Sequence, residues 1–118
     1  MQHKTPKLLE DIRDSATFIL EAVASLTLDT YARDRIRRQA VERNFEIIGE
    51  ALNRLSRVNS QVSRRIGPAP QIISFRNILV HGYDVVDHEV VWEIIRHELP
   101  ELLKRVQQLL VETGKETP

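Results

Sequence analysis

"VERNFEIIGEALNRL", Val41 to Leu55, carries the clearest helical period in this chain. Val41, Phe45, Ile48, Leu52 and Leu55 return every three or four positions, the repeat of one helix face. Arg43, Glu46, Glu50, Arg54 and Arg57 form a polar stripe at the same period. Ile36 and Ala40 extend the apolar stripe backwards, and the pattern predicts one long helix ending near Asn59. Glu50 and Arg54 stand in the acid-first i,i+4 order, which stabilises a helix by roughly 0.2–0.5 kcal/mol.

The same period recurs on both sides. Leu8, Ile12, Ala16, Ile19, Val23 and Leu26 predict a first helix from about Lys7 to Leu26, with Thr5 as cap and Pro6 at its first position. "TLDTYARD" interrupts the pattern, and Asp29 or Thr30 is the expected cap of the long helix. "IGPAPQ", Ile66 to Gln71, cannot continue a helix. A third helix is expected from about Gln71 to His81, closed by Gly82. Asp87 should cap a fourth, "HEVVWEIIRHEL", with Glu89 in its first turn. Pro100 either kinks the chain or starts a fifth helix, "ELLKRVQQLLVE". No segment has the alternation of a strand. The expected fold is all-α, an antiparallel up-and-down bundle of four to five helices.

With 118 residues the chain suits one domain, 1–118, with an ordered core over about 5–112. At 42% hydrophobic and 29% charged it has the composition of a soluble globule rather than a disordered segment. No apolar run approaches the roughly 20 residues of a membrane span. "MQHKTPKLLEDIRD" holds no apolar signal core, and the absence of cysteine fits a cytoplasmic protein. The formal charge is zero but uneven. Residues 33–65 hold nine arginines against Asp34, Glu42, Glu46 and Glu50, and residues 84–118 carry a local −4. On charge alone the arginines read as a solvated helix face with internal pairs; the other reading is attraction for a polyanion.

The densest chemistry lies in "SFRNILVHGYD", Ser74 to Asp84. At about 100° per residue, Ile72, Phe75, Ile78 and Leu79 share one face, and Ser74, Asn77 and His81 share a polar stripe about 60° wide. Asn77 and His81 are i,i+4 neighbours. Arg76 stands on a shoulder between Ile73 and Val80, and Tyr83 follows the glycine near His81. Histidine titrates near neutrality, and arginine clamps a phosphate. The set suits phosphodiester chemistry without a metal or cofactor. A structural reading is also open: a helix-end histidine, a core-edge arginine ion pair and a packing tyrosine. His88 and His97 have no metal-ligand spacing and read as exposed helix residues.

The context is more specific. "FRNILVHGYDVVD" follows "VERNFEIIGEALNRL" and precedes "VVWEIIRHELPELL". This order resembles the HepT-like branch of the HEPN-domain proteins, over roughly residues 5–112. The most specific match is R-x4-H-x-Y, carried by Arg76, His81 and Tyr83, with Asn77 after the arginine. "IIGEAL", Ile47 to Leu52, is similar to the family's second-helix signature. Gln71 stands near a place where relatives often carry tryptophan.

The resemblance implies a homodimer, or a larger assembly of dimers, whose motif helices meet across a two-fold. It implies a metal-independent endoribonuclease with Arg76, His81 and Asn77 as catalytic residues, acting on RNA. Such proteins are the toxin half of HepT/MntA, type VII-like toxin–antitoxin pairs. Their partner is a nucleotidyltransferase antitoxin that places AMP on the motif tyrosine, here Tyr83. A different class of reading is a non-catalytic helical module that binds a nucleotidyltransferase. Glu50 either supports Arg76 or pairs with Arg54; both readings stay open, and it is outside the catalytic set.

Overall fold

The computed structural model describes residues 4–74 and 87–113. All regular structure among them is helical: α1 (Lys4–Ala22), α2 (Leu28–Ala32), α3 (Arg35–Val58), α4 (Ser60–Ile66), α5 (His88–Glu93), a π-helical turn (Ile94–Glu98) and α6 (Leu99–Glu112). Residues 70–74 are also helical.

The long helix is α3, and its predicted stripe is the core. Val41, Phe45, Ile48 and Leu55 are wholly buried and Leu52 nearly so. From α1 they meet Leu8, Leu9, Ile12, Ala16 and Ile19, and from α6 Leu102, Val106 and Leu110 complete the same apolar cluster. Each such side chain contributes about 1.5–3 kcal/mol by leaving water. At the first turn of α1 and the last of α3, Asn59 Nδ2 donates to Thr5 Oγ1 at 3.2 Å. The two helices are therefore antiparallel. Leu20 near the end of α1 and Val23 just beyond it face Trp92, Ile95 and Pro100, so the α5–α6 rod is antiparallel to α1 too.

Several boundaries differ from expectation, each for a local reason. Thr5 and Pro6 lie inside α1, and the Thr5 hydroxyl accepts from Asn59 instead of capping. α1 ends at Ala22, and Leu26 is reached through turn bonds such as Leu26 N–H to the Val23 carbonyl. Neither Asp29 nor Thr30 caps the long helix. Thr27 caps the extra helix α2 in a reciprocal capping box with Thr30, and Asp34 caps α3 by accepting the Arg37 N–H at 3.0 Å. The cap displaces Ile36 from the core, leaving it 83% exposed in the first turn. The long helix does end at Asn59, where its pattern puts it, but another helix follows before the proline loop. The Asn59 side-chain oxygen accepts the Val62 N–H at 3.1 Å and starts α4, the competition with backbone that asparagine favours.

Pro100 starts a helix, the second of its two readings: it stands in the first turn of α6. The π turn precedes it, with Leu99 N–H reaching back to the Ile94 carbonyl. A proline has no N–H to donate and crowds the carbonyl four residues back; one wider turn relieves both. The rod continues from His88 to Glu112. No helix among the described residues is long and apolar enough to cross a membrane.

Candidate functional site

Arg76, Asn77, His81 and Tyr83 lie outside the described residues. What the structure describes is how the chain reaches this motif and how it leaves it.

On the approach, Gly67 closes α4 with φ +81° and ψ −175°, a conformation nearly confined to glycine. Ala69 and Ile72 are buried on the core, and the Ile73 N–H bonds the Ala69 carbonyl at 3.1 Å. Ile72 N–H, in the opening turn of the helical residues, donates to Glu98 Oε2 at 3.0 Å. A helix start has N–H groups without partners, and a carboxylate there satisfies one and complements the helix dipole. Glu98 is placed for this by the π turn, four residues of chain before Arg76 being reached from Ile72.

On the departure, Asp87 caps α5 as expected, accepting the Glu89 N–H at 2.9 Å and the Val90 N–H at 3.4 Å. His88 is not the exposed residue the sequence suggests. It is half-buried, 3.2 Å from Arg38 Nη1 through Nε2. Arginine is only a donor, so the contact requires Nε2 to accept and Nδ1 to carry the proton. Tyr31 meets the His88 ring edge-on at a centroid distance of 6.4 Å and the Trp92 ring at 5.4 Å.

Around this contact is a polar cluster that sequence reasoning missed. The Tyr31 hydroxyl, Arg38 Nε and His88 Nδ1 are buried without hydrogen-bond partners among the described residues. Burial pushes the Tyr31 phenol well above its usual range, so it stays neutral. Burial also raises the Glu42 carboxyl, against the opposing pull of Arg38. No spacing rule joins Tyr31, Arg38, Glu42 and His88, because they come from three helices. His97 does match its reading, exposed and 3.1 Å from Glu93.

Glu50 pairs with Arg54 at 3.2 Å and lines a groove of about 360 Å³ with Arg43, Glu46 and Ile47. One of its two sequence-based roles is thereby seen; the other involves Arg76, outside the described residues.

Helices are the regular structure of the described residues, R-x4-H-x-Y stands in the sequence between two of them, and comparison with known proteins places the chain. The chain belongs to the HepT-like ribonuclease family: the family model described as Ribonuclease HepT-like matches residues 12–109. The resemblance drawn from the motif and its flanks is borne out. A protein of Caldanaerobacter subterraneus subsp. tengcongensis named as a putative RNase is 33% identical, covering 91% of this chain and 96% of the relative. Another so named, from Methanocaldococcus jannaschii, is 30% identical over 84% of this chain and 90% of its own length. A protein of Thermococcus cleftensis named as a probable ribonuclease HepT is 28% identical over 92% and 98%. No solved structure matches the chain.

Proposed function

We propose that this protein is a metal-independent endoribonuclease, the toxin of a type VII-like toxin–antitoxin pair. The observation that carries the reading is R-x4-H-x-Y, Arg76 to Tyr83, within the span that matches the family. The names of the relatives as RNases support it.

In this reading His81 takes the proton of an RNA 2′-hydroxyl. The freed oxygen bonds to the adjacent phosphorus, the bond to the 5′-oxygen breaks, and that oxygen is protonated as it leaves. The products are a 2′,3′-cyclic phosphate and a 5′-hydroxyl. Arg76 binds the non-bridging phosphate oxygens as charge builds on them, and Asn77 orients His81 or the substrate. Arg76 and His81 are about 140° apart on one ideal helix, too far for a compact site. In a homodimer two such helices share one cleft across the two-fold.

The partner is a nucleotidyltransferase antitoxin. It transfers AMP from ATP to the Tyr83 oxygen and releases pyrophosphate. The added bulk and negative charge, beside Arg76 and His81 in sequence, occupy the phosphate clamp and repel RNA.

The test is RNA cleavage by purified, unmodified protein in EDTA, beside His81→Ala and Arg76→Ala variants of matching helicity and dimer mass. The wild type alone should cleave, leaving 2′,3′-cyclic phosphate ends. A wild type without AMP on Tyr83 that leaves a broad RNA panel intact would overturn the catalytic reading in favour of a binding module for the nucleotidyltransferase.

A further inference from the structure

The antiparallel packing of α1 on α3 brings together cations that are 50 residues apart in sequence. Lys4 and Lys7 on α1, with Arg54 and Arg57 on α3, line an open groove of about 510 Å³ whose other walls are Leu8, Asp11 and Val58. Four cations there face one carboxylate. Asp11 is bonded to Lys7 at 2.8 Å, and Arg54 to Glu50 at 3.2 Å. Among the described residues neither Lys4 nor Arg57 has an ion pair or side-chain hydrogen bond. The adjoining groove shares Leu8, Asp11 and Arg54 but adds Glu46 and Glu50 against Arg43. Of the two adjoining grooves, the positive excess lies in the one at the start of α1 and the end of α3.

We propose that this groove holds the sugar–phosphate backbone of a single RNA strand. The proposal rests on the reading of RNA as the substrate and adds the surface that binds it. Each helix presents its two cations three residues apart, about 4.5 Å along the axis. Packed helices lie about 8–10 Å apart, so the four charges flank a channel one strand wide. Leu8 and the 47% exposed Val58 give it an apolar floor for a sugar or base face. No aromatic side chain among the described residues lines it, so backbone contacts rather than stacking carry the binding. Contacts of this kind position a strand without reading its sequence. The groove is accordingly tolerant of sequence, takes single-stranded DNA as well as RNA, and is steeply sensitive to salt.

The experiment is fluorescence anisotropy of a labelled, uncleavable 2′-O-methyl RNA 12-mer with the full chain, from 50 to 200 mM KCl. The variants are Lys4→Gln/Arg57→Gln and, as a charge-matched control on the α5–α6 rod, Arg96→Gln/Lys104→Gln. Single-strand binding loses a log–log salt slope of about 0.7 per phosphate contact removed. The groove variant should lower the slope by about 1.4 and weaken binding at least tenfold at 100 mM, while the control matches wild type. Equal losses in both variants, or none in either, would sink the proposal. So would a groove variant that binds RNA normally but has lost its dimer mass, which makes the groove a protein interface. Because binding is read without cleavage, an inactive chain that binds through the groove leaves this proposal standing and removes only the catalytic one.

Discussion

Glu98 Oε2 accepts the backbone N–H of Ile72 at 3.0 Å, across 26 residues of sequence. This bond ties the wide turn before Pro100 to the first turn of the helical residues that run toward Arg76. Hydrogen bonds to a charged partner contribute about 1.5–3 kcal/mol, more than neutral ones. Glu98→Ala should lower stability by about 1–2 kcal/mol and Glu98→Gln by less. Urea denaturation checks both, and an unchanged midpoint for the alanine variant would show the bond to be energetically idle.

Tyr31 makes the opposite prediction. Its ring is wholly buried against Trp92, yet among the described residues its hydroxyl bonds nothing. A buried polar group left unpaired costs about 1–3 kcal/mol. Tyr31→Phe should therefore raise the melting temperature, by the equivalent of about 1 kcal/mol. Tyr31→Ala should destabilise by about 3–5 kcal/mol, because it also opens a cavity. A phenylalanine variant less stable than wild type would mean that the hydroxyl has a partner in solution.

The Glu42 carboxyl is held above its ordinary value of 4.5, chiefly by burial. A carboxyl raised in this way favours the folded state when protonated. Its stabilising share is complete below the unfolded value and disappears as pH rises through the folded one. Glu42→Gln should therefore be more stable than wild type at pH 7, with the advantage closing as the pH falls through the folded value and gone below about 4.5. Paired melts across that window decide it. An advantage that grows on acidification would mean that the pull of Arg38 outweighs burial.

Gly67 joins α4 to the loop before the motif with φ +81°. Among the described residues a methyl group there would meet only the Arg105 Nη1 atom, at an ordinary 3.5 Å. The cost of Gly67→Ala is then one of backbone conformation, about 1–3 kcal/mol. Asparagine should not rescue it, since ψ −175° is outside the left-handed helical region that asparagine tolerates. Chemical denaturation of both variants tests this; near-wild-type stability would show that the loop relaxes freely.

Hydropathy period alone made the all-α class and most of the core legible. Val41, Phe45, Ile48 and Leu55 are buried as their spacing requires. That signal is local: a helix repeats every 3.6 residues whatever it packs against. Asp87 was legible as a cap for the same reason. The motif, Arg76 to Tyr83, was also read from sequence order, and its resemblance led to the family.

Tertiary structure decided what depends on separation in space. Ile36 continues the apolar period yet stands in water, because Asp34 starts α3 beyond the reach of the core. Glu98 looks like any surface acid until the π turn sets it over Ile72. Arg38 meets His88 across 50 residues, and Lys4 faces Arg57 only because α1 lies antiparallel on α3. The sequence by itself determined which faces are apolar, since burial follows from the side chains along one helix. Which polar groups converge is set by how those faces pack, and no local spacing records it.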